Sequence, residues 1–127
     1  MEGYSAKIRY SSKELSVKER IAIKDTSNAI PLDDLTTQNG TITIQYAYHV
    51  LLDIHNEKSD NKDYTKIVVV DKGGTKYVTG SESFGTSLSD IVDEMIDGGE
   101  GDNIAIEVYR KDSKNYKGKQ FITCSVV

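Results

Sequence analysis

The sequence predicts a mainly β domain, a five-stranded barrel with one helix inserted between its third and fourth strands. Three observations carry this expectation. Several short runs either alternate apolar with polar residues or are rich in β-branched ones, clearest at 42–50, 64–70 and 104–108. Turn formers separate these runs, at Asn39-Gly40, at Asp71-Lys72-Gly73-Gly74 and around Gly118. Only one stretch has a clear helical period. Its apolar residues Leu88, Ile91, Val92, Met95 and Ile96 fall on one face, with Asp90, Asp93, Glu94 and Asp97 on the other.

A chain of 127 residues is expected to form one domain, spanning 1–127, with one modest core. The hydrophobic fraction of 37% and charged fraction of 28% fit a soluble globular protein. No apolar run approaches the ~20 residues needed to cross a membrane, and the first residues lack the apolar segment of a signal peptide. The single Cys124 cannot form an internal disulfide, so a reducing, cytoplasmic location is expected.

The net charge of −4 is unevenly spread. Residues 1–24 hold six bases against three acids, residues 82–102 hold seven acids and no base, and residues 109–119 hold five bases against one acid. A folded chain could therefore present a basic face and an acidic face, and the local field steers a polyanion more than the net charge does.

Taken in order, residues 1–13 are polar with weak alternation at Ile8 and Tyr10, as in a loose arm or a weak edge strand. Residues 14–24 alternate, with Leu15, Val17, Ile21 and Ile23 on one side and Lys18, Arg20 and Lys24 on the other. This predicts a half-buried strand with a basic outer face. Residues 25–35, with the only proline, are expected to form a loop with a short extended piece at Ala29-Ile30. A long strand is expected from Thr41 to about Ile54, with Ile42, Ile44, Tyr46, Tyr48 and Val50 on one face. Val50-Leu51-Leu52 breaks the alternation, which suggests a bulge or barrel corner there. The polar stretch 55–63 is a loop. A strand from Tyr64, a glycine turn and a strand carrying Tyr77 form a hairpin.

The helix is expected to begin after a Gly80–Gly85 junction and to stop at Gly98-Gly99. Residues 103–110 read as a strand with Glu107 and Tyr109 outward. The final strand, 119–127, is apolar on both faces, so it is expected to sit centrally or to continue into a second copy as a homodimer. This order of strands and helix is that of an OB-fold, whose strand faces and loops bind oligonucleotides or sugars.

Catalytic and metal chemistry find little purchase. His49, His55 and Cys124 lack zinc spacing. The helix carboxylates form a solvated face, and no phosphate-binding or nucleophile-elbow motif is present. No enzyme activity, cofactor or metal is expected. Tyrosine is the unusual residue, with eight Tyr, two Phe and no Trp. Several tyrosines adjoin bases, at Tyr64-Thr65-Lys66, Lys76-Tyr77, Tyr109-Arg110-Lys111 and Tyr116-Lys117. Rings that stack on bases beside cations that follow phosphates are what a single-strand binder needs. Taken one at a time, such tyrosines are equally at home as strand residues with a wet hydroxyl. The residues expected to contact nucleic acid are Lys18, Arg20, Tyr64, Lys66, Tyr77, Tyr109, Arg110, Lys114, Tyr116, Lys117 and Lys119. The second function class is a non-enzymatic module that captures a protein through the acidic helix face and the apolar last strand.

The strand end Ile67-Val68-Val69-Val70, the turn Asp71-Lys72-Gly73-Gly74-Thr75, Tyr77, the acidic helix 88–96 and the segment Ser113-Lys114-Asn115-Tyr116-Lys117-Gly118-Lys119-Gln120-Phe121 together resemble small single-stranded DNA-binding proteins of phages of Gram-positive bacteria. The likeness covers about the last two-thirds of the chain. It implies an OB-like fold that coats displaced single strands during phage replication or recombination, in the cytoplasm of the bacterial host, beside phage replication or recombination proteins and away from membranes. The chain departs from cellular homologues in ending Cys-Ser-Val-Val, without a separate acidic tail.

Overall fold

In the computed structural model, which describes residues 3–113 and 118–127, the chain is mainly β. The described residues form seven strands and three helices, where five strands and one helix were expected. They run β1 (Tyr4–Ser11), α1 (Val17–Lys24), β2 (Ile30–Pro31), α2 (Leu32–Asn39), β3 (Ile42–Asn56), β4 (Asp63–Asp71), β5 (Lys76–Thr79), α3 (Glu82–Asp97), β6 (Ala105–Asp112) and β7 (Gln120–Val126). The strands lie in the order β2-β5-β4-β3-β6-β7, with β1 added to β3. The sheet curls into an open half-barrel.

The long strand β3 is the hinge of this architecture. Residues 42–45 pair with β6, and residues 46–55 pair with β4. The register shifts between Tyr46 and Tyr48, which leaves Ala47 without a partner in β4. An extra residue reverses which side chains face inward beyond it. Ile44 and Tyr46 therefore enter one core, while Val50, Leu52 and Ile54 enter the other. The expectation of one shared face from Ile42 to Val50 fails for this reason. The bulge lies earlier than the apolar run at 50–52 suggested. A second shift does occur opposite that run, in β1 at Arg9.

The first core lies inside the curl. It gathers Ile44, Ile67, Val69, Ile106, Val108 and Ile122 from the strands around Phe84, Leu88 and Val92 of α3. The second core lies on the opposite side of β1, β3, β4 and β5. There Val50, Leu52, Val68, Val70 and Val78 are covered by Ile23 of α1 and by Ala29. A strand buried on both faces reads as a continuous apolar run, which explains Ile67-Val68-Val69-Val70.

The N-terminal quarter departs most from expectation. Residues 17–24 are a helix, not a strand. Ser16 Oγ accepts from the backbone N–H of Glu19, and Glu19 accepts from the backbone N–H of Ser16. This reciprocal cap satisfies two amides that a short helix would otherwise expose. Lys13 also pairs with Glu19 at 2.8 Å. These bonds hold the Glu19 carboxyl down at about 2. Alternation failed as a guide because Ile23 alone of the helix is fully buried, whereas Val17 and Ile21 face solvent. The expected loop at 25–35 contains β2, parallel to β5, and the start of α2. Residues 4–11 form a full edge strand on β3.

Elsewhere the expected hairpin and helix are present with shifted ends. In the β4–β5 turn, Asp71 Oδ1 accepts from the backbone N–H groups of Gly73 and Thr75, and Gly74 takes a φ of 90°. Helix α3 starts earlier than Leu88. Ser81 caps it by accepting from the Phe84 N–H, so Gly85 lies inside the helix. A Cβ at Gly85 would stand 2.7 Å from Ile67 Cδ1, so the glycine lets α3 approach β4 closely. Strand β7 is terminal, not central: it pairs with β6 alone and packs along α3. There the Ser81 hydroxyl donates to the Ile122 carbonyl, and the Ser87 and Thr123 hydroxyls meet at 3.1 Å.

Candidate nucleic-acid interface

The expected contact residues divide into three groups that the fold does not unite. Lys18 and Arg20 are exposed on α1, beside the second core. Their helix covers the outer side of β4 and β5, the strands that carry Tyr64 and Tyr77, both expected to contact nucleic acid. Tyr64 and Tyr77 point to opposite sides. Tyr64 packs against the second core, and Tyr77 packs against the first. The Tyr77 hydroxyl lies 3.5 Å from Asp71 Oδ2, and burial raises its pKa. Lys66 is half-buried next to Tyr64 on β4. These two tyrosines are structural neighbours of the cores and do not form one stacking platform.

The third group lies on the β6–β7 hairpin. Tyr109 and Lys111 share the outer face of β6 with Glu107. Opposite them on β7 stand Thr123, Phe121 and Ser125. Tyr109 is half-buried, and its hydroxyl lies 2.7 Å from Ser125 Oγ. Phe121 stands directly across from Lys111 and is likewise half-exposed. Lys111 and Lys119 are exposed near the loop. The remaining expected contacts, Lys114, Tyr116 and Lys117, lie outside the described residues. Phe121 is not a tyrosine beside a base, so the pattern that singles out the expected contacts does not include it. Its pairing with Lys111 is a matter of register, which the sequence does not print.

Arg110 is also engaged within the fold. It lies on the inner side of β6 and reaches α2. Its Nε donates to Thr36 Oγ1 at 3.2 Å, and its Nη2 donates to the Asp33 carbonyl at 2.9 Å. The Thr79 hydroxyl of β5 approaches Asp33 Oδ2 at 3.4 Å. Helix α2 thus touches β5, β6 and β7 and bridges the opening of the half-barrel. A cleft of about 330 Å³ remains there, lined by Asp33, Gly80, Ser81, Arg110, Gln120 and Phe121 among others. Replacing Arg110 with methionine keeps much of its stem but removes both donors. It should destabilise the domain by about 1.5–3 kcal/mol, the usual worth of hydrogen bonds from a charged group. Urea denaturation of both proteins checks this, and an unchanged midpoint would show that the bridge is idle.

The groups considered for catalysis are accounted for in other ways. His49 is buried, and its Nδ1 lies 2.6 Å from the Tyr46 hydroxyl. His55 bridges Asp63 at 2.7 Å and Glu57 at 2.6 Å, bonds that raise its pKa. Burial pushes the Cys124 thiol up to about 12, far from a reactive thiolate. Among the described residues no group of three His, Cys, Asp or Glu side chains is arranged to hold a metal ion. No helix among them is long and apolar enough to cross a membrane. In comparisons with known proteins, no family model, no curated protein and no solved structure matches the chain.

Proposed function

We propose that this chain is an OB-like domain that binds single-stranded DNA with little regard to sequence, through the β6–β7 hairpin, in phage DNA replication or recombination. The observation that carries the reading is the connectivity around β3. This long strand pairs with β4 at one end and β6 at the other. A hairpin partner, β5, follows β4, α3 separates β5 from β6, and β7 completes a second hairpin. Strands β3 to β7 with α3 follow the order of an OB-fold, in which such faces and loops take oligonucleotides. The N-terminal elements are additions to it. They cover the β4–β5 side, while on the β6–β7 hairpin Tyr109 and Phe121 are half-exposed and Lys111 and Lys119 are exposed.

On this face Tyr109 and Phe121 offer stacking surfaces, each worth about 1–3 kcal/mol per base. Lys111 and Lys119, with Lys114 and Lys117 in the loop sequence, neutralise phosphates and release condensed counterions. Nothing in this task needs a bond to be made or broken. The test is a tyrosine-fluorescence titration with an oligothymidine at low and moderate salt. Saturable quenching that weakens with salt is expected. Phe121→Ala, which removes no tyrosine reporter, should raise Kd about tenfold. Lys111→Glu with Lys119→Glu should flatten the salt dependence. Absence of quenching at low salt would overturn the reading. A Kd left unchanged by both sets of variants would overturn its placement on the hairpin.

A further inference from the structure

Helix α1 shows solvent an apolar ridge, Val17 and Ile21, which are 73% and 68% exposed. They lie one turn apart, so their side chains form a continuous strip. Lys18 flanks the strip on one side, and Arg20 and Lys24 flank it on the other. None of these three cations has an ion-pair partner in the chain among the described residues. A helix whose buried side rests on Ile23 alone would keep such a ridge only at some cost in solubility.

The complementary surface lies on α3. Its outward side carries Asp90, Asp93, Glu94 and Asp97, and none of these has a cation partner among the described residues. Ile96 borders the acidic surface, on the Asp93 side, with an apolar side chain that is 54% exposed. The two surfaces thus match in both respects, apolar against apolar and base against acid. They cannot meet within one chain, because α1 covers the second core while α3 fills the first, on opposite sides of β3 and β4.

We infer that α1 of one copy docks on the outer face of α3 in a second copy. Surfaces on opposite sides of the sheet make the contact heterologous, so it extends head to tail and does not close as a two-fold pair. Complementary charge sets the orientation and the on-rate, and the apolar strip supplies the affinity. The inference does not depend on DNA binding, and its test is made without DNA.

Sedimentation velocity over a range of protein concentrations should show species growing beyond a dimer. High salt should lower the association constant, about tenfold or more, since exposed charges are screened. Two variants block one surface each, Val17→Asp with Ile21→Asp on α1, and Asp93→Lys with Asp97→Lys on α3. All four positions lie outside the cores, and circular dichroism confirms that each variant is folded. Each variant alone should be monomeric. Their mixture should form a discrete one-to-one pair, because each retains the surface that the other has lost. A wild-type protein that stays monomeric at every concentration overturns the inference, as does a mixture that forms no pair. Wild-type monomers that instead bind anionic lipid vesicles through Val17 and Ile21 would assign the ridge to a membrane surface and also overturn it.

Discussion

Replacing Phe84 with alanine should cost the domain about 3–5 kcal/mol, the usual loss for a large side chain removed from a tight core. Phe84 is completely buried, in the first turn of α3. It belongs to the core that also holds Leu32 of α2, Ile44 and Tyr46 of β3, and Ile122 and Cys124 of β7. In an open half-barrel, elements far apart in the strand order touch mainly through what fills the middle. Truncation leaves a void that strands already tied into their ladders cannot collapse to fill. A typical domain is stable by only about 5–15 kcal/mol, so this one change removes a large share. Urea unfolding should show a much lower midpoint with little change in slope. Val126→Ala, at a half-exposed site, serves as the control and should stay within about 0.5 kcal/mol of the parent. A Phe84 variant as stable as the control would mean that α3 does not hold the curl together.

Acid should destabilise the domain in a window set by His49. Its ring is 1% exposed, and burial pushes its pKa down to about 4 from an ordinary 6.5. The Tyr46 hydroxyl donates to Ser12 Oγ at 2.9 Å, so Nδ1–H of His49 donates in turn to the Tyr46 oxygen. The other ring nitrogen, Nε2, is buried with no partner among the described residues. A proton there would place a charge away from water, which the Asp93 carboxylate offsets only in part. The unfolded chain protonates this histidine below about pH 6.5, whereas the folded chain holds it neutral down to about 4. The His49 contribution to stability is therefore complete above pH 6.5 and is lost as the pH drops from 6.5 to 4. The loss is on the order of 3 kcal/mol, from about 1.4 kcal/mol for each pH unit of that span.

Two other shifted groups act outside this window. Glu19, held at about 2, loses its contribution only below about 4.5. The raised pKa of His55 gives a contribution that is complete below 6.5 and is lost as the pH rises through its folded value. Urea unfolding at pH 7.5 and pH 4.5 measures the slope. His49→Phe should remove most of it while keeping the ring in place against Tyr10 and Tyr46. An equal acid loss in parent and variant would show that His49 carries none of it.

Wherever a segment's own residues decide its state, the chain could be read directly. The β4–β5 hairpin was legible because Asp71 and Gly74 build its turn locally. The periodic face of α3, the outward position of Glu107 and Tyr109 on β6 and the insertion of α3 between the two hairpins were legible for the same reason. The capping box at Ser16 and Glu19 was also written in the chain. It was masked by an apolar alternation that two exposed residues, Val17 and Ile21, happened to complete.

Tertiary structure alone decided the rest. The single unpaired residue Ala47 sends the two halves of β3 to different cores, and its position depends on register with β4. Helix α1 covers one side of β4 and β5, because Val68, Val70 and Val78 need an apolar cover that only a distant segment can supply. Arg110 is spent on bridging α2 to β6, while Phe121 comes beside Lys111 through cross-strand pairing. Local propensity sets which segments become strands, turns and helices. Which side chains meet is set by pairing between segments far apart in the chain, and so Tyr64, Tyr77 and Tyr109, alike in sequence, end on three different surfaces.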